Sequence, residues 1–267
     1  MPACRHVAAD FELTFLGTGT SVGVPVIGCR CEVCTSTDPR NRRTRSSIHI
    51  RQGDLELLVD SGPDLREQAL RENLTRLDAV LYTHGHVDHV AGFDELRAFC
   101  WRRDTPLPMH GNATTLDILR TMFGWAFAPD NVHRGYVKPK AILLEDSFHY
   151  GSLSISPLPV IHGKVETCGF LFRLPHGTTV AYLPDVKEIP SGTRDLLNGV
   201  DVLILDALRP EPHPTHLSIQ EALTVIQEVS ARSAWLTHLG HDNDHASLEA
   251  TLPDHIHVAY DGLRLTY

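Results

Sequence analysis

Short apolar runs typical of β-strands alternate with amphipathic helical stretches along most of the chain. The first strand-like run is ELTFLG, and a hairpin follows over residues 46–62 with its turn at Gly53 and Asp54. A helix is predicted after Pro63, and another over HLSIQEALTVIQEVS, where apolar positions recur at helical spacing. Further strand-like runs are DAVLYT, SLSISPLPVIH, CGFLFRL, TVAYL, VDVLILD, SAWLT and HIHVAY. Because β-rich blocks and helices alternate in both halves, the pattern favours two mixed sheets packed face to face with helices outside.

The length of 267 residues predicts a single domain, 1–267, because α/β folds of this size often form one unit and no repeat or long linker interrupts the chain. Apolar residues make up 42% of the chain, and no apolar run approaches the roughly 20 residues that span a bilayer. We therefore expect no membrane partner. The N-terminal stretch lacks the apolar core of a secretory signal, so a cytoplasmic location is the expectation.

The net charge of −9 argues against a long nucleic acid as the partner, because phosphate backbones are held mainly by Lys and Arg. A small anionic substrate whose charge is neutralised by bound cations stays compatible with this composition. The basic run Arg40–Arg45 is interpreted as a solvated loop in preference to a phosphate contact. The 17 histidines are the conspicuous excess, and several of them are grouped.

Three histidines and one aspartate lie within six positions, directly after the predicted strand DAVLYT. On a turn that leads into a helix, His84 and His86 can converge on one ion, while Asp88 and His89 face a second ion about 3.5–4 Å away. A chance set of histidines on a polar loop is the alternative, but such density at a strand end is rare by accident. The run therefore predicts part of a dinuclear metal site.

Three further candidate ligands each follow an apolar run. His162 ends SPLPVIH, Asp185 ends TVAYLPD, and His238 ends SAWLTH. Residues at the ends of separate strands meet at one edge of a sheet, which is where α/β proteins place their sites. Together with the histidine run, these residues would complete the coordination of two ions.

The H-x-H-x-D-H run, with its downstream His, Asp and His, resembles the metallo-β-lactamase superfamily over nearly the whole chain. This resemblance implies an α/β fold, the αββα sandwich of two mixed β-sheets flanked by helices. It also implies how the ligands are shared: one ion is bound by His84, His86 and His162, a second by Asp88, His89 and His238, and Asp185 bridges the two.

The stretch GCRCEVC is a second candidate metal site, since it holds three of the six cysteines. Thiols at this density in a reducing compartment favour metal binding over disulfides, but a closed zinc site needs a fourth ligand. Within the superfamily, the run resembles the PhnP-type phosphodiesterases, whose early cysteines bind a structural zinc with a late histidine. The resemblance implies the ligands Cys29, Cys31, Cys34 and His241. This zinc would attach the loop at about 20–46 to the sheet and stabilise the fold.

The same resemblance implies a metal-dependent phosphodiesterase. A hydroxide held between two cations, with Asp88 and Asp185 among their ligands, would attack phosphorus, because bound cations lower the pKa of water towards about 7. PhnP-like proteins also carry a catalytic histidine just before an amphipathic helix, and His216 matches it better than His213. The expected substrates are small, compact phosphodiesters such as a ribosyl cyclic phosphate or a 2′,3′-cyclic nucleotide. Zn²⁺, Mn²⁺ and Fe²⁺ all suit the active-site ligands, and the resemblance implies a homodimer.

Other functions share the metal motif and stay open. A tRNase Z-like endoribonuclease generally carries a glycine- and lysine-rich arm that grips tRNA, and no such segment occurs in this sequence. A thioester or lactone hydrolase is disfavoured by the histidine of the 209–218 loop and by the cysteine run. A cofactor-biosynthesis protein resembling PqqB has a similar cysteine run and remains an alternative, whereas redox diiron relatives usually have Glu at the position of His86. A catalytically silent binding module is disfavoured because all seven active-site ligands are present.

Overall fold

The computed structural model describes residues 11–101 and 103–267, which form two β-sheets covered by helices. The first sheet contains strands β1 Phe11–Gly17, β2 Ser47–Gln52, β3 Leu55–Val59, β4 Ala79–Leu81, β5 Leu107–Gly111, β6 Pro139–Leu143 and β14 Arg264–Thr266. The second contains β7 Phe148–Tyr150, β8 Leu153–His162, β9 Val165–Arg173, β10 Thr179–Leu183, β11 Val202–Asp206, β12 Ser233–Thr237 and β13 Ile256–Val258. Strand order is β14-β1-β2-β3-β4-β5-β6 in the first sheet and β13-β12-β11-β10-β9-β8-β7 in the second.

Short helices lie on the outer faces and in the connections. They are α1 Leu65–Arg71, α2 Val87–Val90, α3 Arg97–Cys100, α4 Ala113–Met122, α5 Gly124–Phe127, α6 Ser191–Leu197, α7 Ile219–Glu228 and α8 His245–Glu249, with 3₁₀ turns at Pro39–Asn41 and Phe93–Leu96. Helix α7 begins with a capping box, in which the Ser218 side chain accepts from the Glu221 amide and the Glu221 carboxylate accepts from the Ser218 amide. None of the described helices has the length and apolar character needed to cross a bilayer.

Alternation of side chains along the strands builds the layers. In β11, Val202 and Ile204 face the core between the two sheets, whereas Leu203 and Leu205 face the helices outside the second sheet. Val225 of α7 packs into that same outer core. Because successive side chains of a strand point to opposite faces, a strand that is apolar throughout is buried on both sides. The predicted four-layer sandwich is confirmed, while the division into domains stays a prediction.

The predicted strands and helices are present among the described residues, but one region was not anticipated. Strands β5 and β6 and helix α4 extend the first sheet and cover its outer face. Their sequence contains Pro106, Pro108 and Pro139 together with polar residues, which obscures the apolar pattern that reveals the other strands. This region supplies the outer layer next to the histidine run, where Ile118 of α4 packs against Gly85.

Strand direction decides where functional residues can gather. Strands β3, β4, β5 and β6 run parallel to one another, and so do β10, β11, β12 and β13. Strand β8 has the same direction as β10, since both pair antiparallel with β9. The carboxyl ends of these strands therefore lie at one edge of their sheets, where the loops that carry the predicted ligands begin.

The basic run contains one arginine of the core, and the interpretation of Arg40–Arg45 as a solvated loop is wrong for Arg43. Arg43 is fully buried, and its guanidinium donates to Thr18 Oγ1 at 2.8 Å and to the Ala259 carbonyl at 2.5 Å. Burial lowers the pKa of Arg43 to about 10. Arg40 pairs with Asp38 and Arg45 with Asp64, while Arg42 is exposed.

We predict that Arg43→Ala lowers the free energy of unfolding by about 3 kcal/mol, because it leaves buried acceptors without a donor and creates a cavity. Arg42→Ala is the matched control and should change this free energy by less than about 0.5 kcal/mol. Urea unfolding followed by circular dichroism measures both values. Equal, small effects of the two substitutions would contradict the structural role of Arg43.

Candidate metal centres

The seven predicted active-site ligands come together at the shared edge of the two sheets. His84, His86, Asp88 and His89 lie on the turn after β4 and in α2. His162 ends β8, Asp185 lies two residues after β10, and His238 follows β12. Apart from the partly exposed His86 and Asp88, these side chains are buried. Segments far apart in sequence thus contribute to one small polar centre.

The first predicted ligand set consists of three imidazoles. His84 Nε2 lies 2.8 Å from His86 Nδ1, and His162 Nε2 lies 3.4 Å from the same atom. The potential ligand atoms of these three residues all lie within 4.8 Å of one another. Three ring nitrogens directed at one point suit a divalent transition-metal ion.

The second set is arranged around Asp185. His89 Nε2 lies 3.1 Å from Asp185 Oδ2 and 3.4 Å from Asp88 Oδ2. His238 Nε2 lies 3.3 Å from Asp185 Oδ1, and His162 Nε2 of the first set lies 3.9 Å from that oxygen. The two oxygens of Asp185 therefore face both ligand sets, as a bridging carboxylate would require.

The donor atoms of this centre fit divalent cations. His89 Nε2, His238 Nε2 and Asp185 Oδ2 are buried and have no hydrogen-bond partner within residues 11–101 and 103–267. Each such atom costs free energy when it is left without a partner, and native proteins contain few of them. A cation between the imidazoles and carboxylates would satisfy all three atoms. The fit supports metal binding, and the assignment of each ligand stays a prediction.

Asp60 orients one of the predicted ligands and was not identified from the sequence. Its Oδ2 accepts a hydrogen bond from His89 Nδ1 at 2.8 Å, which directs His89 Nε2 toward Asp185. Asp60 also accepts from the Thr83 amide at 2.9 Å and the Thr83 hydroxyl at 2.8 Å. Its φ of 64° is unusual for a residue other than glycine. The signal in the sequence is a carboxylate directly after strand β3, in the run LVDSG.

His216 lies beside the centre on the loop between β11 and α7. Its Nδ1 is 2.7 Å from Asp206 Oδ2, and its ring centroid lies 4.6 Å from that of His162 and 4.7 Å from that of His238. Burial lowers the pKa of His216, but the Asp206 carboxylate outweighs this effect and raises the pKa above its ordinary value. Asp206 ends β11 and was not identified from the sequence, because it is not among the ligands that the resemblance implies.

His213 is farther from the predicted ligands than His216. Its ring centroid lies 5.2 Å from that of His216, and its Nδ1 accepts a hydrogen bond from the Thr215 amide at 3.3 Å. The structure gives His213 no carboxylate partner among the described residues. This geometry favours His216 as the histidine that acts on the leaving group.

A cavity of about 230 Å³ opens onto both ligand sets. Side chains that are not predicted ligands also line it, among them Ser21, Lys164 and Thr215. The two-residue turn that joins β8 to β9 follows His162. Lys164 is the second residue of this turn, and it is exposed. The cavity is small, so it suits the reacting part of a compact molecule, with a cationic side chain at its wall.

The cysteine run and His241 form a separate cluster. The Sγ atoms of Cys29, Cys31 and Cys34 lie 3.3, 3.5 and 3.5 Å from His241 Nδ1. Three sulfurs and one imidazole at this spacing fit a closed tetrahedral zinc site. Backbone N–H groups also point at the sulfurs, since the Val26 amide donates to Cys34 Sγ at 3.3 Å.

The electrostatics of the thiols differ within this cluster. A hydrogen bond from the Cys34 amide helps to lower the pKa of Cys31 to about 7, whereas burial raises the pKa of Cys34 to about 11. Zinc binds the thiolate form, so the cation would stabilise the deprotonated state of all three cysteines. Cys100 and Cys168 are buried away from this cluster, and Cys4 lies outside the described residues.

We predict that Asp60→Asn weakens metal binding at the active centre by about 10–100-fold, because an amide replaces the carboxylate that orients His89. Asp78→Asn is the control, since Asp78 pairs with Arg76 at 2.8 Å on the exterior. Competition with a chromogenic chelator measures the affinity of each variant. An affinity of Asp60→Asn equal to that of the control would remove the orienting role of Asp60.

We also predict that Cys31→Ser reduces the zinc bound per chain and lowers the melting temperature by roughly 5 °C or more, because the ion stabilises a loop with little core of its own. Elemental analysis and thermal unfolding provide the two readouts. Glu32→Gln, at an exposed position of the same loop, should leave both unchanged. An unaltered melting temperature in Cys31→Ser would be inconsistent with a stabilising zinc.

Comparison with known proteins gives consistent matches. A family model described as the β-lactamase superfamily domain matches residues 56–239. A solved structure described as a new diphosphatase from the PhnP family aligns with a TM-score of 0.89 and 37% identity, covering 96% of this chain and 97% of that chain. Coenzyme PQQ synthesis protein B of Methylobacterium radiotolerans is 30% identical over 226 residues, which are 73% of this chain and 72% of that protein.

An octanoyltransferase of Porphyromonas gingivalis is 36% identical over 256 residues, which are 93% of this chain and 50% of that protein. This chain therefore spans half the length of that curated relative. The family match covers more than half of the chain and contains all seven predicted active-site ligands, and the PhnP-family structure extends the similarity over nearly the full length. The chain thus belongs to the β-lactamase superfamily, within which it is a PhnP-like, metal-dependent hydrolase.

Proposed function

We propose that this hydrolase cleaves small phosphodiesters. The observation that carries the proposal is the position of His216, which is held by Asp206 at 2.7 Å and lies beside the two predicted ligand sets. When hydroxide attacks the phosphorus of a phosphodiester, one P–O bond breaks and its oxygen departs as an alkoxide, to which a positioned histidine can give a proton. Hydrolysis of a more activated bond would depend less on such an acid.

The residues of the centre have separate tasks in this mechanism. Bound divalent cations would lower the pKa of a water molecule and neutralise charge on the phosphate oxygens. Asp206 accepts a hydrogen bond from His216 Nδ1–H and thereby fixes the orientation of the ring. With Nδ1 engaged in this way, Nε2 is the ring nitrogen that can give a proton to the leaving oxygen. The negative charge of the Asp206 carboxylate favours the protonated form that this step requires.

The size and charge of the cavity support a compact anionic substrate. A cavity of about 230 Å³ accommodates a phosphate and part of a sugar, and the rest of the substrate can extend into solvent. Lys164 at the wall offers a cation to an anionic group of the substrate. Ribosyl cyclic phosphates and 2′,3′-cyclic nucleotides meet these requirements, because the ring keeps the phosphodiester close to the sugar.

A second candidate reaction is the hydrolysis of a diphosphate. The PhnP-family structure that aligns over nearly the whole chain is described as a diphosphatase. A phosphoanhydride would present the same phosphate oxygens to the two ligand sets, but its leaving group is a phosphate and needs less protonation. The dependence of the rate on His216 therefore distinguishes the two reactions.

The test compares several substrates on one preparation of the protein. Metal-depleted protein is refilled with Zn²⁺, Mn²⁺ or Fe²⁺ and assayed on bis(p-nitrophenyl) phosphate, a 2′,3′-cyclic nucleotide, a nucleoside diphosphate ester, a phosphomonoester, a thioester and a precursor tRNA. Metal-dependent cleavage of the diesters, with little cleavage of the monoester and thioester, is the expected result. Cleavage of the thioester or of the precursor tRNA alone would overturn the proposal in favour of those activities.

We predict that His216→Ala lowers kcat by about 10²–10⁴-fold, because it removes the general acid. Metal content should stay unchanged, and elemental analysis checks this point. The loss should be larger for diphenyl phosphate than for bis(p-nitrophenyl) phosphate, since phenol is the poorer leaving group and depends more on protonation. His213→Ala is the matched control and should keep most of the activity.

Two outcomes would contradict the role of His216. Loss of bound metal in His216→Ala would identify His216 as a metal ligand. Its Nδ1 lies 3.9 Å from Asp185 Oδ1, which is close enough for the two residues to share an ion. An equal loss of rate with both leaving groups would mean that His216 acts on the substrate by another route than proton donation.

A further inference from the structure

Residues 237–243, called the 237–243 junction below, connect the end of strand β12, a predicted active-site ligand and the cysteine cluster. Thr237 ends β12, His238 belongs to the second predicted ligand set, and His241 belongs to the cluster. Only Leu239 and Gly240 separate the two histidines. A displacement of His241 is therefore transmitted to His238 through very little chain.

The backbone at His238 depends on support from both sides. Its φ is 57°, a left-handed conformation that side chains other than glycine rarely adopt. Such a conformation persists only where the surroundings enforce it. On the N-terminal side, β12 pairs with β11 up to the register of Thr237 with Asp206. On the C-terminal side, the support comes from residues 239–243.

That C-terminal support leads to two neighbouring loops. The Leu239 amide donates to the Thr18 carbonyl at 2.9 Å, and the Leu239 carbonyl accepts from the Thr20 amide at 3.3 Å. The Gly240 amide donates to the Leu208 carbonyl at 2.8 Å, and Leu208 pairs with Leu217 next to His216. The junction therefore contacts both the loop that carries the cysteines and the loop that carries His216.

The loop that carries the cysteines has little apolar anchoring. Of residues 21–38, all of which are described, only Gly23, Val24 and Cys34 are buried. The loop nevertheless contributes Ser21 to the wall of the cavity. The contacts of its sulfurs with His241 are thus a main attachment of this loop to the 237–243 junction.

We propose that the cluster of Cys29, Cys31, Cys34 and His241 is a positioning element for His238, and that its metal sets the metal affinity of the Asp88, His89 and His238 set. The set of His84, His86 and His162 stands on other elements, the β4–α2 turn and the end of β8. Loss of the cluster metal would therefore weaken one active-site position and leave the other nearly unchanged.

The first experiment measures both active-site affinities in Cys31→Ser, whose side chain is exposed in the native fold. Metal-depleted protein is titrated with Mn²⁺ or Zn²⁺ by calorimetry and by chelator competition. We expect the metal affinity of the Asp88, His89 and His238 set to fall at least about tenfold, as when an orienting partner is lost. The affinity of the His84, His86 and His162 set should change by less than about threefold. Equal weakening of both affinities, or of neither, would overturn the proposal.

Combining this substitution with loss of a ligand tests the route of the effect. In a His238→Ala background, Cys31→Ser should cause no further change in metal affinity, because the positioned ligand is already absent. In a His162→Ala background, the effect of Cys31→Ser should persist at full size. A full additional loss in the His238→Ala background would show that the cluster acts elsewhere.

Two controls separate positioning from general stability. His241→Cys, made alone, keeps four ligands for zinc, so it should retain the affinity pattern of the unaltered protein that Cys31→Ser disturbs. Leu153→Ala removes a buried side chain at the start of β8, the end opposite to His162, and should lower stability without changing either affinity. A lower affinity of the Asp88, His89 and His238 set in Leu153→Ala would assign the effect to stability and overturn the proposal.

A measurement on the unaltered protein applies even where Cys31→Ser fails to fold. A mercurial thiol reagent is added to the folded protein, and released zinc is followed with a chromogenic indicator while circular dichroism monitors the fold. Release of the cluster zinc should lower the metal affinity of the Asp88, His89 and His238 set while the circular dichroism spectrum stays the same. Retention of both active-site affinities would overturn the proposal. The positioning role rests on the metal-dependent function proposed above, but its readout is metal affinity. Should the affinity pattern hold while no substrate is cleaved, the phosphodiesterase proposal fails and the positioning role stands.

Discussion

Burial of carboxylates at the junction of the two sheets is the constraint on which the active centre depends. Asp60, Asp185 and Asp206 are each 2% exposed or less, and a carboxylate taken out of water must be paired with donors or cations. Each of the three faces at least one histidine, at 2.8 Å for Asp60, 3.1 Å for Asp185 and 2.7 Å for Asp206. The two outer carboxylates orient imidazoles, and the central one faces both predicted ligand sets. The fold can hold these charges because it brings matching groups to the same edge.

Parallel strands explain why that edge exists. Residues that follow β3 and β4 in one sheet meet residues that follow β10, β11 and β12 in the other, since the strands of each group run in one direction. The interior between the sheets is apolar and closely packed, with Phe170 and Ile204 among its buried residues. A rigid base of this kind holds ligand atoms at fixed separations. The strands thus fix the positions of the residues around the cavity, and the loops at the strand ends supply most of the polar side chains.

Functional residues that stand in dense local motifs could be predicted from the sequence. Residues whose role depends on contacts between distant segments could not. The run after β4 and the cysteine stretch are dense enough to be recognised alone, and the structure brings their residues together with His162, Asp185, His238 and His241, although the ligand roles remain predictions. Asp60 and Asp206 were missed although each stands at the end of an apolar strand, as Asp185 does, because neither belongs to the H-x-H-x-D-H run or to its expected downstream ligands. Arg43 resembles its exposed neighbour Arg42 in sequence, and only the fold shows that it is buried.

The contact between Arg43 and Ala259 also has a consequence for the order in which the protein can mature. These residues are separated by 216 positions, and Cys29 is separated from His241 by 212. Contacts of such long range form late, because the intervening chain must first be brought into place. During synthesis, the loop at about 20–46 therefore cannot complete these contacts until residues 241 and 259 have left the ribosome. Throughout that interval its cysteines lack the His241 imidazole, so a closed metal site with all four of these residues would be completed late in biogenesis.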